Sequence, residues 1–324
     1  MKKIIVGLLL LVLVGTCWAG ETWQITLLHT NDLHGMVLPF DYSQGNSLFA
    51  GPDAGGLARR ATLVAELRKA IDHPVALVEA GDIFARGPWH QRFFGAMEIA
   101  AYKELGYDLL CVGNNEFQAT QTEDAKSLML ALMRQSSFPW LAANLTVGDT
   151  GVPLEGIHPF IVRRYEGVRV GFLGLTAPRS ANYPMTQGWT ISDPIEAAQK
   201  WAPLARKECD VLIAVTHLGY ETDLRLAAQV AGLDAIIGGD SHTFLPAPVY
   251  VFNPEGRLVP IVQAGEHGVC LGRLDLTFEK TDRWRLLAAV GELIPVDARL
   301  TEDLAVKRLL ERWIEGQEAL APAA

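Results

Sequence analysis

Short hydrophobic runs alternate with longer amphipathic stretches along most of the chain. The short runs have the length of strands, and in the longer stretches the apolar positions recur every three or four residues, as on one face of a helix. Gly56–Ile71 shows this helical spacing at Leu63, Leu67 and Ile71, and a compact apolar run follows it at Val75–Val78. Strands that alternate with helices in this way predict a layered α/β domain.

The same pattern predicts the bounds of the other elements. The predicted strands are Ile25–His29, Val75–Val78, Asp108–Val112, Trp140–Ala143, Val168–Leu175, Val211–Thr216 and Ala235–Ile237. The predicted helices are Gly56–Ile71, His90–Leu105, Glu123–Gln135, Pro194–Lys207, Leu224–Val230 and Glu302–Trp313. From Val249 to Phe278 short strands with a turn at 253–256 predict hairpins, and Trp284–Val296 continues that pattern. We therefore predict one domain over residues 20–324, with antiparallel additions, a C-terminal helix and a frayed tail.

The first nineteen residues have the composition of a targeting segment. Two lysines precede the apolar run Ile4–Gly15, and small residues end the segment at Ala19. The run is too short for a membrane span, and a charged start before a short apolar core is typical of a secretory signal peptide. We expect cleavage after Ala19 and a secreted or periplasmic protein without a membrane span. A lipoprotein anchor at Cys17 is the alternative, although Thr16 fits that site poorly.

Composition and charge exclude several classes of protein. Of the 324 residues, 49% are hydrophobic and 20% charged, which is the balance of a globular chain and excludes a disordered or fibrous one. The net charge of −9 argues against a binder of duplex nucleic acid, which needs a basic face. Cys111, Cys209 and Cys270 lie in or beside apolar segments, so we expect buried thiols and no disulfide framework. An acidic chain that handles a phosphorylated substrate must obtain positive charge locally, and metal ions supply it.

Five predicted strands each run directly into a short polar segment that contains metal-capable side chains. These segments are residues 29–35 (HTNDLHG), 79–82 (EAGD), 113–116 (GNNE), 216–219 (THLG) and 238–243 (GGDSHT). Ligand sites in α/β sheets lie outside the carboxyl ends of strands, so segments far apart in sequence can meet at one crevice. Their mixture of carboxylate, imidazole and amide donors suits Mn, Fe, Zn or Mg. Two such ions, about 4 Å apart, can clamp a phosphoryl group and activate water for in-line attack.

These segments resemble the successive motifs of the 5′-nucleotidase branch of the calcineurin-like metallophosphoesterases. Intermediate segments at residues 55–59, 142–144 and 263–266 resemble that branch as well, and the resemblance covers roughly Gln24–Phe278. It implies a four-layer α/β/β/α sandwich with a dinuclear metal centre. Carried over by position, Asp32, His34 and His242 would bind the first metal and Asp82 would bridge. The implied ligands of the second metal are Asn114, His217 and the residue at position 240.

Two positions depart from the pattern of that branch. Asp240 stands where the resemblance implies a histidine ligand; a carboxylate adds negative charge and favours a harder ion such as Mn or Mg over Zn. Asn115 stands where a catalytic histidine is implied, and Gln118 replaces the aspartate that would hold it. Asparagine donates a hydrogen bond but no proton, and loss of general acid catalysis costs about 10²–10⁴-fold in rate. Other branches of the superfamily also lack that histidine and hydrolyse phosphodiesters.

Three further residues are candidates for contact with a substrate. Arg86 lies in the loop after Asp82 and could bind the substrate's anion, and His90 in the same stretch could replace the missing proton donor. Asn144 follows another predicted strand and could lie on the substrate side of the site. Together with Asn115, these residues complete the predicted site.

The sequence thus predicts an exported dinuclear-metal phosphoesterase with a small phosphorylated substrate: a monoester, a diester or a nucleotide-like compound. Two alternatives stay open: a metal- or anion-binding pseudoenzyme, suggested by the loss of the histidine dyad, and a hydrolase of sulfur esters resembling thiosulfohydrolases. The secreted 5′-nucleotidases of the branch have a second domain that stacks the nucleobase, and the residues after Phe278 are too few for it. We therefore do not expect nucleotide specificity to follow from the resemblance. The oligomeric state is not predicted.

Overall fold

The computed structural model describes residues 20–84, 86–118 and 123–316. The strands are β1 (Thr22–Thr30), β2 (Val75–Glu79), β3 (Leu109–Cys111), β4 (Trp140–Leu141), β5 (Leu145–Val147), β6 (Ile157–His158), β7 (Phe160–Tyr165), β8 (Val168–Leu175), β9 (Trp189–Ile191), β10 (Val211–Thr216), β11 (Ala235–Gly238), β12 (Val249–Phe252), β13 (Leu258–Gln263), β14 (Cys270–Lys280) and β15 (Trp284–Pro295). The helices are α1 (Leu57–Ala70), α2 (His90–Phe93), α3 (Ala96–Leu105), α4 (Asn115–Gln118), α5 (Glu123–Gln135), α6 (Pro194–Glu208), α7 (Tyr220–Gln229) and α8 (Leu304–Ile314). Short 3₁₀ helices lie at Gly148–Thr150, Pro178–Asn182 and Pro184–Thr186.

Two mixed sheets form the centre of the molecule. The first has the strand order β15-β14-β1-β2-β3-β4-β6 and the second β12-β13-β11-β10-β8-β7. In the first sheet β1, β2, β3, β4 and β6 are parallel, and β14 and β15 add an antiparallel edge. In the second sheet β8, β10, β11 and β13 are parallel, whereas β7 and β12 run antiparallel at its two edges. The carboxyl ends of the parallel strands therefore define one edge in each sheet.

Successive side chains in these strands pack on opposite faces, because a strand has a repeat of two residues. Leu27 of β1 and Ile213 of β10 belong to one buried cluster between the sheets. Their neighbours face outward: Leu28 packs with residues of α1, α3, α5 and α8, and Leu212 packs with residues of α6 and α7. The layers are therefore helix, sheet, sheet and helix, and the predicted α/β/β/α sandwich is confirmed. That the chain is one domain over residues 20–324 stays a prediction.

The predicted helix at His90–Leu105 is wrong as a single element. In the structure it is divided into α2 and α3, because Phe94 and Gly95 have φ values of 51° and 92°. Left-handed residues cannot continue a right-handed helix. At Gly95 a Cβ atom would lie 2.7 Å from the ring of Phe84, so the break also requires glycine for lack of space.

Other differences occur at the ends of elements and at short hairpins. The helix predicted at Leu224–Val230 begins earlier, at Tyr220, where the carboxylate of Glu221 lies in the first turn and interacts favourably with the helix dipole. The pattern did not predict β7, which pairs antiparallel with β8 across Glu166 and Gly167. Both of these turn residues have positive φ, as a tight hairpin turn requires. The predicted late hairpins are confirmed for β12 and β13.

Some sequence predictions fall outside the described residues. They are the signal peptide at residues 1–19, the anchor at Cys17 and the tail from residue 317. Cys111, Cys209 and Cys270 are free and buried, as expected. Within the described residues, no helix combines the length and the apolar character needed to cross a bilayer.

Candidate metal centre

Five loops carry the predicted ligands, and they meet at the carboxyl ends of the parallel strands of the two sheets. They follow β1, β2 and β3 of the first sheet and β10 and β11 of the second. Backbone hydrogen bonds join the loops: Asp32 N donates to Gly81 O at 2.9 Å, and Gly219 N donates to Gly239 O at 3.0 Å. At Gly81, where φ is 98°, a Cβ atom would lie 2.7 Å from His217 Nδ1. Glycine therefore allows the loops of the two sheets to approach this closely.

Five of the predicted ligands have a left-handed backbone that L-residues seldom adopt. Their φ values are 54° for Asp32, 51° for His34, 62° for Asp82, 82° for Asp240 and 53° for His242. Such conformations cost on the order of 1 kcal/mol or more for a residue with a Cβ atom, and they persist where the surrounding structure imposes them. Strain at non-glycine residues clusters at functional sites. Its concentration on these five side chains supports a functional centre here.

Asp32, His34 and His242 form the group that we call the first position. His34 Nε2 lies 3.6 Å from Asp32 Oδ1, and His242 Nε2 lies 3.2 Å from the same oxygen. The two imidazole Nε2 atoms are 3.0 Å apart. Asp32 Oδ1 is buried and accepts no hydrogen bond. Donor atoms at these separations can share one ion about 2.1 Å from each of them, so the residues present fit a divalent metal.

The partners of His242 prepare it to act as a ligand. Its Nδ1 lies 2.7 Å from Glu266 Oε2, and Tyr42 donates to the other oxygen of that carboxylate at 3.0 Å. A carboxylate at Nδ1 fixes the ring and leaves Nε2 for a metal. Burial opposes the charged imidazole, but Asp32 and Glu266 outweigh it and raise the pKa of His242 to about 10. By contrast, burial lowers the pKa of His34 to about 4 despite Asp82 and Asp32, so His34 is neutral at pH 7.

Asp82, Asn114, His217 and Asp240 form the second position. His217 Nε2 lies 3.2 Å from Asp82 Oδ2, 3.3 Å from Asp240 Oδ1 and 3.2 Å from Asn114 Oδ1. Its Nδ1 donates to the carbonyl of Ala80 at 2.8 Å, which turns Nε2 toward these oxygens. Burial opposes the charge of His217, yet Asp82 and Asp32 hold its pKa well above the usual value. The donor atoms of Asp32, Asp82 and His217 all lie within 4.8 Å of one another.

Asp82 lies between the two positions and is fixed by the loop after β3. The backbone amide of Asn115 donates to its Oδ1 at 2.7 Å, and the side-chain amide of Asn115 donates to Oδ2. Burial opposes ionisation of Asp82, but His217 and His34 outweigh it, and its pKa is held below the usual range. This carboxylate is therefore available as an anion at the place where the bridging ligand was predicted.

Glu116 is a buried organiser of the same loops that the sequence analysis did not single out. Its oxygens accept from the backbone amides of Gly113 at 2.6 Å, Ile83 at 2.9 Å and Asp82 at 3.0 Å. Burial and the charge of Asp82 raise its pKa to about 8. The sequence could have pointed to Glu116 only through its position, since it follows Asn114 and Asn115 at the end of a predicted strand.

Arg179 is the second residue that the sequence analysis missed. It lies in the 3₁₀ helix Pro178–Asn182, directly after β8 in the second sheet. Its guanidinium makes a bidentate ion pair with Asp240, in which Nη1 donates to Oδ2 at 2.7 Å and Nη2 donates to Oδ1. Nη2 also donates to Asn114 Oδ1 at 2.6 Å. Its position after the end of another parallel strand was the one feature of the sequence that could have pointed to it. The segment was not selected because residues 176–179 (TAPR) contain no metal-capable side chain.

The other predicted site residues have different surroundings. Arg86 is exposed and has a φ of 74°, and its charge acts on His34, which places it beside the first position. His90 begins α2, and its side chain lies outside the described residues. Asn144 is buried, and its side chain hydrogen-bonds to the backbone of Thr176 and Ser192 at 2.9–3.1 Å. These contacts give Asn144 a structural part, and its substrate-binding role stays a prediction.

Comparisons with known proteins agree with this arrangement. The sequence profile of the family described as calcineurin-like phosphoesterase matches residues 25–244. A 5′-nucleotidase from Diplobatis ommata is 32% identical over 310 residues, which cover 90% of this chain and 52% of that protein. The crystal structure of a 5′-nucleotidase precursor from Thermus thermophilus has a TM-score of 0.80 at 29% identity and covers 91% of this chain and 59% of that one. The calcineurin-like phosphoesterase YfkN from Bacillus subtilis gives 0.75 at 24% identity, over 91% and 98%.

The chain spans about half the length of the 5′-nucleotidases that it matches, as the 52% and 59% coverages show. The profile covers more than half of the chain, including every predicted metal ligand. Members of that family use a dinuclear divalent metal centre, and the two positions described above are candidate ligand groups for one. This chain belongs to the calcineurin-like phosphoesterase family.

Proposed function

We propose that the chain is an exported, metal-dependent phosphoester hydrolase that acts on a small monoester, diester or nucleotide-like substrate. The observation that carries this proposal is the first position, where Asp32, His34 and His242 present three donors within 4.8 Å of one another. They lie at the carboxyl ends of strands, where α/β proteins bind ligands. Family membership supplies the reaction class, and this donor set supports the use of a metal.

The proposal requires a divalent ion at the first position, namely Mn, Fe, Zn or Mg. A bound ion supplies a Lewis acid for a phosphoryl oxygen and activates water for in-line attack. Asp32 and the Nε2 atoms of His34 and His242 would hold it, with His242 giving up its Nε2 proton when the ion binds, and Asp82 would reach it from the side of the second position. The second position, for which a second ion was predicted, shares its oxygens with Arg179.

Two arginines supply positive charge for an anionic substrate in a chain whose net charge is −9. Arg86 is exposed beside the first position, and Arg179 lies beside the second. A guanidinium presents several donors in a planar fork that matches phosphate oxygens. We propose that Arg86 contacts the substrate's phosphoryl group.

Asn115 limits the chemistry that the site can perform on the leaving group. Its side-chain amide holds Asp82 and has no proton to give to an oxygen that departs as an alkoxide. Substrates with acidic leaving groups, such as aryl phosphates, need no such proton. The proposed enzyme therefore prefers aryl esters, or diesters with a stable leaving group, over alkyl monoesters. If His90 replaced the proton donor, His90→Ala would remove activity on alkyl monoesters.

The test is a panel of substrates and metals with matched variants. The purified chain, freed of metal by a chelator, is assayed with Mn, Fe, Zn or Mg on p-nitrophenyl phosphate, its bis-ester, nucleoside monophosphates and a sulfur ester. We expect metal-dependent turnover that Asp82→Asn lowers at least a hundredfold. Asp53→Asn, which changes a carboxylate paired with Arg59 elsewhere on the surface, should leave it unchanged. Turnover that is independent of added metal would contradict the proposal.

A metal- and anion-binding protein without turnover is the second candidate. The observation that favours it is that Asn115 and Gln118 stand at the positions of the dyad implied by the resemblance, with Asn115 bound to Asp82 and Gln118 exposed. If no metal produces turnover of any compound in the panel, while calorimetry detects phosphate binding, this candidate replaces the hydrolase.

Export is the part of the proposal that rests on residues 1–19 alone. Expression with the native start, followed by mass determination of the protein from the periplasm or medium, should give a chain that begins at Gly20. A mass that retains residues 1–19, recovered from the cytoplasm, would contradict export.

A further inference from the structure

The side chain of Arg179 is positioned against the oxygens that a second metal would need. Both carboxylate oxygens of Asp240 and the amide oxygen of Asn114 accept from its guanidinium. These are two of the four residues of the second position. The side chain of Asp240 is 8% exposed and that of Arg179 is 50% exposed, so the ion pair joins a buried carboxylate to a half-exposed guanidinium.

The charges of the second position favour a built-in cation. Asp82 and Asp240 both lie within 3.3 Å of His217 Nε2, so two carboxylates crowd one imidazole. The resemblance implies a neutral histidine at position 240, and a carboxylate there adds one negative charge that Arg179 offsets. A bidentate guanidinium–carboxylate pair is among the stronger polar contacts and has a fixed geometry. The negative charge of Asp240 is therefore neutralised by Arg179 of the same chain.

The same contacts compete with a metal ion. An ion in the second position would need Asn114 Oδ1 and Asp240 Oδ1 at about 2.0–2.2 Å, with His217 Nε2 as a third ligand. Arg179 Nη2 already directs positively charged hydrogens at both of those oxygens, and lies 2.6 Å from that of Asn114. Two cations this close repel each other. Asp240 also belongs to neither of the groups whose donor atoms all lie within 4.8 Å.

We propose that Arg179 takes the place of the second metal ion, so that the chain binds one divalent ion at the first position and uses a guanidinium at the second. The inference rests on the first position of the proposed function. Within it, Arg179 holds Asn114 and Asp240 in place. The contacts described above use one Nη1–H and both Nη2–H groups of Arg179. The Nε–H and the second Nη1–H can therefore donate to an oxygen of the substrate's phosphoryl group. The second cation of the site is thus permanent and independent of the metal supply.

Metal stoichiometry tests the inference without requiring activity. The chelator-treated chain is titrated with Mn²⁺, free ion is counted by electron paramagnetic resonance, and bound ions are examined for magnetic coupling. We expect one Mn²⁺ per chain with an uncoupled spectrum. Arg179→Met keeps an unbranched side chain but removes the cation. Its affinity for a second Mn²⁺ should be at least ten times the residual affinity of the wild type for a second ion. Its spectrum should show coupling, as expected for ions about 4 Å apart. Arg164→Met, at an exposed arginine of β7, is the control and should still bind one.

A second variant keeps the test decisive if Arg179→Met does not fold. Arg179→Met combined with Asp240→His removes the ion pair as a unit and provides a neutral donor, and it should also bind two coupled ions. Two coupled ions in the wild type would overturn this inference and leave the proposed function intact. No bound ion in the wild type would overturn both. A count that stays at one in both variants would show that Arg179 does not exclude the second ion, and would overturn the inference alone.

Discussion

At the scale of single residues, Asn115 holds the carboxylate of Asp82 in place. Its backbone and side-chain amides both donate to Asp82, and its own Oδ1 is buried without a hydrogen-bond partner. It is therefore a positioning residue for the carboxylate between the two metal positions. A histidine at this position could give a proton to a leaving oxygen, which asparagine cannot do. The resemblance implies a general acid at position 115, and an asparagine side chain has no proton to supply in that role.

Asn115→His is expected to raise kcat/KM for alkyl phosphate monoesters at least tenfold. General acid catalysis contributes about 10²–10⁴-fold, and part of that is offset by the lost contact to Asp82. Aryl phosphates should gain much less, since their leaving groups need no proton. Steady-state kinetics on both classes of ester measures the ratio, and Asn115→Ala is the control that lacks both amide and imidazole. An alkyl-to-aryl ratio equal to that of the wild type would contradict the role given to Asn115.

At the scale of elements, α3 carries a buried charge that its packing does not satisfy. Glu98 lies in the first turn of this helix and is fully buried, and neither of its oxygens has a hydrogen-bond partner within the described chain. Met97 and Tyr102 of the same helix are also fully buried, so α3 is enclosed on several sides. Burial raises the pKa of Glu98 to about 7. The helix dipole offers some compensation at this turn.

Glu98→Gln is expected to stabilise the fold at high pH. The folded-state pKa is about 7, whereas an unfolded glutamate titrates near about 4.3. The folded state therefore binds more protons between these values, and stability falls as the pH rises through that window. Above pH 7 the penalty reaches up to about 4 kcal/mol, since each pKa unit corresponds to about 1.4 kcal/mol. Glutamine has the shape of the protonated acid and should remove this loss.

Urea unfolding of the chelator-treated protein at pH 4.5 and pH 8 measures the effect. The variant should match the wild type at pH 4.5 and exceed its free energy of unfolding at pH 8. Glu104→Gln, at an exposed position on the same helix, should change neither value. Equal unfolding free energies of Glu98→Gln and wild type at pH 8 would show that Glu98 carries no such penalty.

At the scale of the whole molecule, the two sheets depend on one another to make a centre. The first sheet supplies Asp32, His34 and Asp82, and the second supplies His217 and His242. The left-handed backbone at Asp32, His34, Asp82 and His242 opposes folding. Since an unfolded chain cannot assemble donors from both sheets, a metal that binds here stabilises the folded state alone.

Mn²⁺ at a concentration one hundred times its Kd is therefore expected to raise the free energy of unfolding by about 2.7 kcal/mol. Thermal and urea unfolding with and without the ion measure this difference. His34→Ala should lose most of the gain, and His158→Ala, at an exposed histidine of β6, should keep it. A gain of the same size in His34→Ala would place the ion elsewhere.

The hydrophobic pattern by itself determined most elements and the ends of strands that carry ligands. β2, β8 and β10 follow the predicted runs closely because a buried strand between two layers needs an unbroken apolar segment. The break between α2 and α3 and the pairing of β7 with β8 were not predictable in this way. They depend on left-handed residues and on contacts with neighbours, which the repeat of apolar positions does not record.

The sequence alone determined which side chains could bind a metal, since carboxylate and imidazole groups at strand ends can be read directly. Only the tertiary structure decided which of them meet. The donor atoms of Asp32, His34 and His242 lie close together in the structure. The side chain of Asn144 hydrogen-bonds to the backbone of Thr176, and Arg179 forms an ion pair with Asp240. The physical reason is that a sequence motif identifies the side chains that can donate to a metal. It does not identify the positive charge that pairs with them, because that charge can come from the end of any other strand that the two sheets bring to the same edge.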